Sequence, residues 1–173
     1  MKDIELKLVC ELIKNSRKSD RELAKSVGVS QPTVSRTRAR LEREGVISYT
    51  ASANLAKLGF EIMAVTFANW NHEQYPDTKV PKAKDFIEKH SNIIFVSTGR
   101  GMNSDRVAVS VHKSYSDYAR YLREIHSDWA EFMTMTGSFL ISLSSDNIIR
   151  PLSLRYIADC LEKEKPEQRP KAS

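Results

Sequence analysis

Residues 19–45, SDRELAKSVGVSQPTVSRTRARLEREG, carry two helix starts and two helix stops within 27 positions. Ser19 and Ser30 each stand where an N-cap is needed, and Glu22, three residues after Ser19, completes a capping box. Gly28 falls where the chain must reverse between the helices, a place that calls for positive φ. Gly45 closes the second helix as a C′ glycine. The spacing therefore predicts one helix over about Asp20–Val27 and a second over about Gln31–Glu44. Pro32 is tolerated in the second because it lies in the first turn.

Outward from this stretch, residues 3–15 read as a preceding helix with Leu8, Val9 and Leu12 facing inward. Leu23, Ala24 and Val27 supply the buried face of the next. Val46, Ile47 and Tyr49 read as a short strand, the start of a small wing. The arginines of the last helix are not evenly distributed. With Val34 at 0° and steps of about 100° per residue, Leu41 falls at about −20° and the two mark a buried stripe. Arg36, Arg40 and Arg43 fall at roughly 200°, 240° and 180°, on the opposite face. Gln31, Thr33 and Ser35 occupy the leading end.

A helix presented in this way suits the major groove of duplex DNA. Gln pairs with adenine and Arg with guanine, so Gln31, Thr33, Ser35 and Arg36 are candidates for base contacts. Arg40 and Arg43 are candidates for phosphates, joined by Arg17, Lys18 and Lys25. Ser30 and Ser19 cap helices whose free N–H groups also suit phosphate. Arg38 fits badly, because it falls near 40°, beside Val34. Either its stem runs along a neighbouring helix with its charge paired to a glutamate, or the helix is rotated from the ideal.

Composition is that of an ordinary globular protein, with 40% hydrophobic and 28% charged residues in 173. The net charge is +5, and residues 1–50 hold eleven basic against seven acidic side chains, a surplus of four. A basic head on a nearly neutral body indicates a polyanion partner for the head. No apolar run spans a bilayer, and MKDIELKLVCELIKN lacks a signal-peptide core, so the expected location is the cytoplasm, away from the membrane. Cys10 and Cys160 lie far apart without metal-site spacing and are expected to be reduced thiols, so no metal and no cofactor are expected. His72, His90, His112 and His126 are scattered, and no HxxxH, CxxC or nucleophile elbow is present, so the chain is not expected to be an enzyme.

The stretch RKSDRELAKSVGVSQPTVSRTRARLEREGVI, followed by YTASANLAKLGF, resembles the Lrp/AsnC family of transcription factors, the leucine-responsive and asparagine-operon regulators. Asn15-Ser16-Arg17, Glu22-Leu23-Ala24 and Val27-Gly28-Val29-Ser30 are similar to its winged helix-turn-helix, and Tyr49–Gly59 to its hinge. Thr37 stands where the family commonly has arginine, and Arg38 where it has an aliphatic residue. The resemblance implies a transcriptional regulator that binds double-stranded DNA as a homodimer, with dimers assembling into octamers, and responds to an amino acid or another small metabolite. Two other readings stay beside it. One is a chromosome-organising protein of low sequence specificity. The other is an enzyme similar to the siroheme decarboxylases, which resemble the family but typically lose the basic recognition helix.

From Phe60 the periodicity changes. Strands are expected over Glu61–Trp70, Asn92–Thr98, Arg106–His112 and Gly137–Ser144, with helices over 82–90 and 115–132. The order β-α-β-β-α-β is that of a ferredoxin-like fold, which the resemblance also implies. The expected class is α+β: a winged helix-turn-helix over 1–48, a hinge over 49–59, a ferredoxin-like sandwich for dimerisation and effector binding over 60–165 with a C-terminal helix from about Pro151 to Glu164, and a disordered tail over 166–173. One face of such a sheet is left bare. Phe67, Phe95, Val109 and Leu140 are candidates to line it, with either a second subunit or the last helix as cover. Relatives carry a Gly and an Asp in the loop between strands two and three, near an amino-acid effector. Gly99 and Asp105 resemble that pair, although the loop is longer here and residues 71–81 also look like an extension. A glycine-assisted hairpin is the plainer reading of the same loop.

Overall fold

The computed structural model describes residues 1–75 and 87–163, which fall into two compact units. The first comprises Met1–Ser52 together with the chain from Pro151, and the second Ala53–Arg150.

In the first unit, α1 (Asp3–Lys14), α2 (Asp20–Val27) and α3 (Gln31–Arg43) start and stop where the local chemistry dictates. Ser19 accepts the Glu22 N–H while the Glu22 carboxylate accepts from the Ser19 N–H at 2.7 Å, closing the capping box. Ser30 caps α3 by accepting from the Thr33 N–H. Gly28 ends α2 with φ 77° and Gly45 follows α3 at φ 70°, both in the left-handed region that a side chain disfavours. The core is Leu8, Val9 and Leu12 from α1, Leu23 and Ala24 from α2, and Val34 and Leu41 from α3. Leu8, Leu23 and Leu41 are fully buried, each contributing about 1.5–3 kcal/mol relative to exposure.

Residues 46–50 form no strand, contrary to the sequence expectation of a wing strand. Ile47 instead packs against the helical core, and that anchor holds the segment without a ladder. A fourth helix, α5 (Arg155–Lys163), joins this unit, although the sequence boundaries assign it to the second domain. Its Ala158 is buried with Leu6 and Cys10 of α1, flanked by Ile13 and Leu161, and Lys14 Nζ lies 2.6 Å from Glu162 Oε1. α1 thus has two apolar faces, one for α2 and α3 and one for α5. Cys160 is exposed on α5.

The second unit is a four-stranded antiparallel sheet, β1 (Ile62–Trp70), β2 (Ile93–Gly101), β3 (Ser104–His112) and β4 (Met133–Ser142), with α4 (Tyr115–Trp129) between β3 and β4. The strand order is β2-β3-β1-β4, that of a ferredoxin-like sandwich. Of the helix expected over 82–90, residues 87–89 are helical. Residues 76–86, which hold most of that helix and part of the extension read over 71–81, lie outside the described residues, as do 164–173 with the expected tail.

Alternation along β1 separates the two faces of the sheet. Ala64, Thr66, Ala68 and Trp70 are buried, and Met63, Val65 and Phe67 between them are half-buried. α4 presents Tyr118, Tyr121, Ile125 and Trp129 to the buried side, where they form a core with Ala64, Trp70 and Phe132. Cross-strand partners share a face. Val65 pairs with both Val109 and Phe139, and Phe95 pairs with Val109, so these residues lie on the side away from α4. Phe95 and Phe139 are 54% and 67% exposed there. Leu140 pairs with Ala64 and therefore lies on the α4 side, correcting its placement on the bare face. A one-residue error in β4 register reverses every side chain of the strand.

The stretch over 98–105 is a hairpin, as its plainer reading has it, but its turn is not made by a glycine. β2 and β3 continue to Gly101 and Ser104, and Met102 and Asn103 between them both have positive φ, 53° and 54°. That is a two-residue turn of the primed kind that suits twisted strands. The register shifts between Thr98 and Gly101, so Gly99 belongs to an irregular strand and not to a free loop.

Candidate nucleic-acid interface

The basic side chains of the first unit divide into those held by carboxylates and those that are free. Arg38, the misfit of the wheel, is held most. Its Nη1 donates to Asp20 Oδ1 at 3.1 Å, and its Nε donates to Glu42 Oε1 at 3.1 Å and to the Tyr49 hydroxyl at 2.9 Å. Its guanidinium carbon lies 5.0 Å from the centre of the Tyr49 ring. Burial weakens the Arg38 charge, but its bonds to Glu42, Asp20 and Tyr49 outweigh burial and raise its pKa. A cation beside Val34 thus fastens α3 to α2 and to the segment after it, with an aspartate as the partner from α2.

Arg40 is also engaged. Its Nη2 donates to Glu5 Oε1 of α1 at 2.5 Å, and its Nε lies 3.9 Å from Glu44. The Arg40 hydrogen bond holds the Glu5 carboxyl below the usual carboxylate range. Lys18 is bound to Glu11. Arg40 and Lys18, both read from the sequence as phosphate contacts, are thus each paired with a carboxylate. Ser35 turns its hydroxyl to Asp20 Oδ2 and to the Gln31 carbonyl. Thr33 Oγ1 lies 2.8 Å from Ser30 Oγ, so both hydroxyls are used in the cap.

What stays free forms a smaller set. Among the described residues Arg17, Lys25, Arg36 and Arg43 are exposed and have no side-chain hydrogen bond or ion pair. Gln31 is exposed at the leading end of α3 with its side-chain amide unpaired. Arg36 and Arg43 lie opposite the buried Val34–Leu41 stripe. Arg21, which the sequence reading did not single out, belongs with them. It is exposed and unpaired, and on α2 it lies at i,i+4 to Lys25, opposite buried Leu23. The helical wheel of α2 contained that signal. An arrangement of unpaired guanidiniums on the outward faces of two capped helices has the chemistry to bind phosphate and to read base edges.

The other candidate pair lies on the second unit. Asp105 Oδ1 accepts from the Trp70 N–H at 2.9 Å, and Oδ2 lies 2.7 Å from His72 Nε2. Arg106 Nη1 is 3.3 Å from Oδ1. Burial pushes the Asp105 carboxyl up, but the Trp70 N–H, His72 and Arg106 outweigh it and leave the pKa lowered. Gly99 has open space where a Cβ would be. Asp105 is thus fastened to β1 at the base of the ribbon. Among the described residues no three His, Cys, Asp or Glu side chains come together as a metal site, and no helix is long and apolar enough to cross a membrane.

The winged helix-turn-helix DNA-binding family matches residues 1–48. The helix-turn-helix transcriptional regulator Ptr1 of Methanocaldococcus jannaschii is 29% identical over 124 residues, covering 70% of this chain and 78% of its own. The regulator LrpC of Bacillus subtilis is 32% identical over 93 residues, covering 53% and 61%. Among solved structures, that of B. subtilis LrpC matches with a TM-score of 0.66 at 21% identity over 89% of this chain and 98% of its own. That of Escherichia coli AsnC matches at 0.66 and 16% over 88% and 97%. A transcriptional regulator of Neisseria meningitidis in complex with L-Met matches at 0.68 and 14% over 89% and 96%. At these identities the structural likeness is one of fold. A DNA-binding helix-turn-helix, regulators as relatives in sequence and the fold of LrpC and AsnC agree, and the chain is a DNA-binding transcriptional regulator similar to those of the Lrp/AsnC type.

Proposed function

We propose that the protein reads duplex DNA as a homodimer or a higher assembly of dimers, through Gln31, Arg36 and Arg43 of α3 with Arg17, Lys25 and Arg21 as phosphate contacts. The observation that carries this is the free state of these side chains, set against the engaged state of Arg38 and Arg40. Residues 1–48 act as the reading domain, 49–59 as a hinge and the sheet domain as the dimerisation unit. The α4-free face of the sheet supports the last point, because Phe95 and Phe139 are exposed beside Val65 and Val109, and a second copy is the simplest partner for a self-complementary apolar face. A dimer presents two copies of α3 to half-sites about one helical turn apart or a multiple of it.

An amino acid or similar metabolite is the proposed effector, near Gly99 and Asp105. The complex of a structural neighbour with L-Met supports this, as does the half-buried Asp105 carboxylate, which remains ionised. The test is affinity selection of genomic fragments by the purified protein, followed by competition between the selected duplex and random duplex at one salt concentration. The selected duplex is expected to bind at least tenfold more tightly. Equal affinities overturn sequence-selective regulation.

A further inference from the structure

Between the sheet and α4 lies a cavity of about 370 Å³, within the size range of small-molecule sites. Its walls are mostly apolar, with Trp70, Ile93, Ile125, Trp129 and Met135 among them. Arg106 is the one ionisable side chain in its described lining besides the Tyr121 phenol, whose pKa burial raises to about 12. Arg106 is itself mostly buried, at 15% side-chain exposure. Its guanidinium lies 5.5 Å from the centre of the Trp70 ring. Nη1 is occupied, donating to the Asp105 carbonyl at 3.0 Å beside the Asp105 carboxylate. Nη2 is buried and finds no acceptor among the described residues. A buried donor without a partner costs about 1–3 kcal/mol, and a folded protein seldom leaves one so.

We infer that this cavity binds a small apolar monocarboxylate, whose carboxylate pairs with the Arg106 guanidinium while its hydrocarbon body lies among Trp70, Trp129, Ile125 and Met135. The chemistry of the wall selects the class. A guanidinium edge matches a carboxylate and forms a charge-assisted bond with it. No carboxylate of the described lining faces the cavity to receive an ammonium, so an amino acid leaves its ammonium desolvated there, at substantial cost. A branched or aromatic acid without the amino group meets no such cost. The site is on the α4 side of the sheet and differs from the effector reading above, whose Asp105 is not among its described lining residues but holds Arg106 from beside it.

The chain has two tryptophans, Trp70 and Trp129, and both line the cavity, so intrinsic fluorescence of the full chain reports on it directly. The probes are 4-methylpentanoate, its neutral amide 4-methylpentanamide, and L-leucine, each titrated into the wild type. A saturable change with the carboxylate is expected, with the amide and L-leucine each at least tenfold weaker. In Arg106→Met, which keeps the apolar stem, the carboxylate is expected to fall to the affinity of the amide. In Asp105→Asn it is expected to keep the preference over the amide. Absence of a saturable change, equal affinity for acid and amide, or L-leucine binding as well as the acid each overturn the inference. If Arg106→Met does not fold, the comparison of probes on the wild type decides alone. DNA affinity plays no part in the readout, so failure of the DNA reading and failure of this one are separate results.

Discussion

Arg36, Arg40 and Arg43 share a face of α3 by helical spacing, yet their surroundings predict different consequences of removal. Arg36 and Arg43 have no partner in the described residues, whereas Arg40 is bonded to Glu5 and close to Glu44. A cation that neutralises a phosphate on duplex DNA contributes about 0.9 to the slope of log affinity against log salt. In a dimer with both heads on DNA each substitution removes two contacts, so Arg43→Ala is expected to make the slope shallower by about 1.8. Between 50 and 200 mM salt, the wild type's loss of affinity shrinks in the variant by a factor of about 12. Arg36→Ala is expected to weaken binding and, where it touches a base edge, to relax preference at one position of each half-site by about 1–3 kcal/mol. Arg40→Ala is expected to leave the slope nearly unchanged and to lower the melting temperature, because Glu5 loses its counter-ion. The assay is fluorescence anisotropy on one labelled operator across a salt series, with melting followed by circular dichroism. An Arg40→Ala slope shift as large as that of Arg43→Ala refutes the division into engaged and free cations, as does an unaltered slope in Arg43→Ala.

Arg38→Ala removes a part-buried guanidinium bonded to Asp20, Glu42 and Tyr49. About 1 kcal/mol of stability is expected to be lost, since these groups are partly solvated, and urea unfolding of the full chain measures it. Phe139→Glu places a carboxylate on the exposed face of the sheet and is expected to weaken self-association at least 100-fold, while Leu140→Glu, on the α4 side by register, is expected to act on stability first. Sedimentation velocity separates the two, and an unchanged dimer in Phe139→Glu counts against that face. His112 is 1% exposed, with Nε2 beside Ser110 Oγ at 2.8 Å and Nδ1 without a partner among the described residues. Burial lowers its pKa, opposed in part by the Asp117 carboxylate 3.9 Å away. The unfolded chain therefore takes up the proton first, so stability is fully present above about pH 6.5 and declines as pH falls toward the folded-state pKa. Melting temperatures from pH 8 to 5 are expected to fall more steeply in the wild type than in His112→Gln. Parallel curves refute the assignment.

The helix-turn-helix was legible because its determinants are local. A capping box needs residues three apart, and a left-handed cap needs one glycine, so Ser19, Glu22, Gly28 and Ser30 announce their roles within a single turn. The order of the strands was legible for the same reason. What stayed hidden depended on partners distant in sequence. Glu5 captures Arg40 from 35 positions away, and Asp20 captures Arg38 from 18, and no wheel drawn on α3 alone contains either carboxylate. The face of Leu140 is set by the register of β4, which includes a shift opposite Phe67–Ala68. The turn at Met102–Asn103 escaped because neither residue is glycine, while Gly99 and Gly101 drew the eye to the wrong positions.

The two surprises of α3 have one cause and one consequence. A recognition helix that carries four arginines and few apolar residues cannot hold its place by burial alone, because Val34 and Leu41 are its only buried side chains. Arg38 and Arg40 make up the difference by bonding to helices α2 and α1 and to Tyr49, so half of the helix's positive charge orients it and half remains for a polyanion. Orientation and reading are thus divided between residues two to three positions apart. A substitution that exchanges those duties, such as Glu5→Gln, frees Arg40 toward solvent without altering any side chain of α3. It is expected to steepen the salt dependence of DNA binding while lowering the stability of the helical unit, and this opposite movement distinguishes an engaged arginine from one that was merely distant from the DNA.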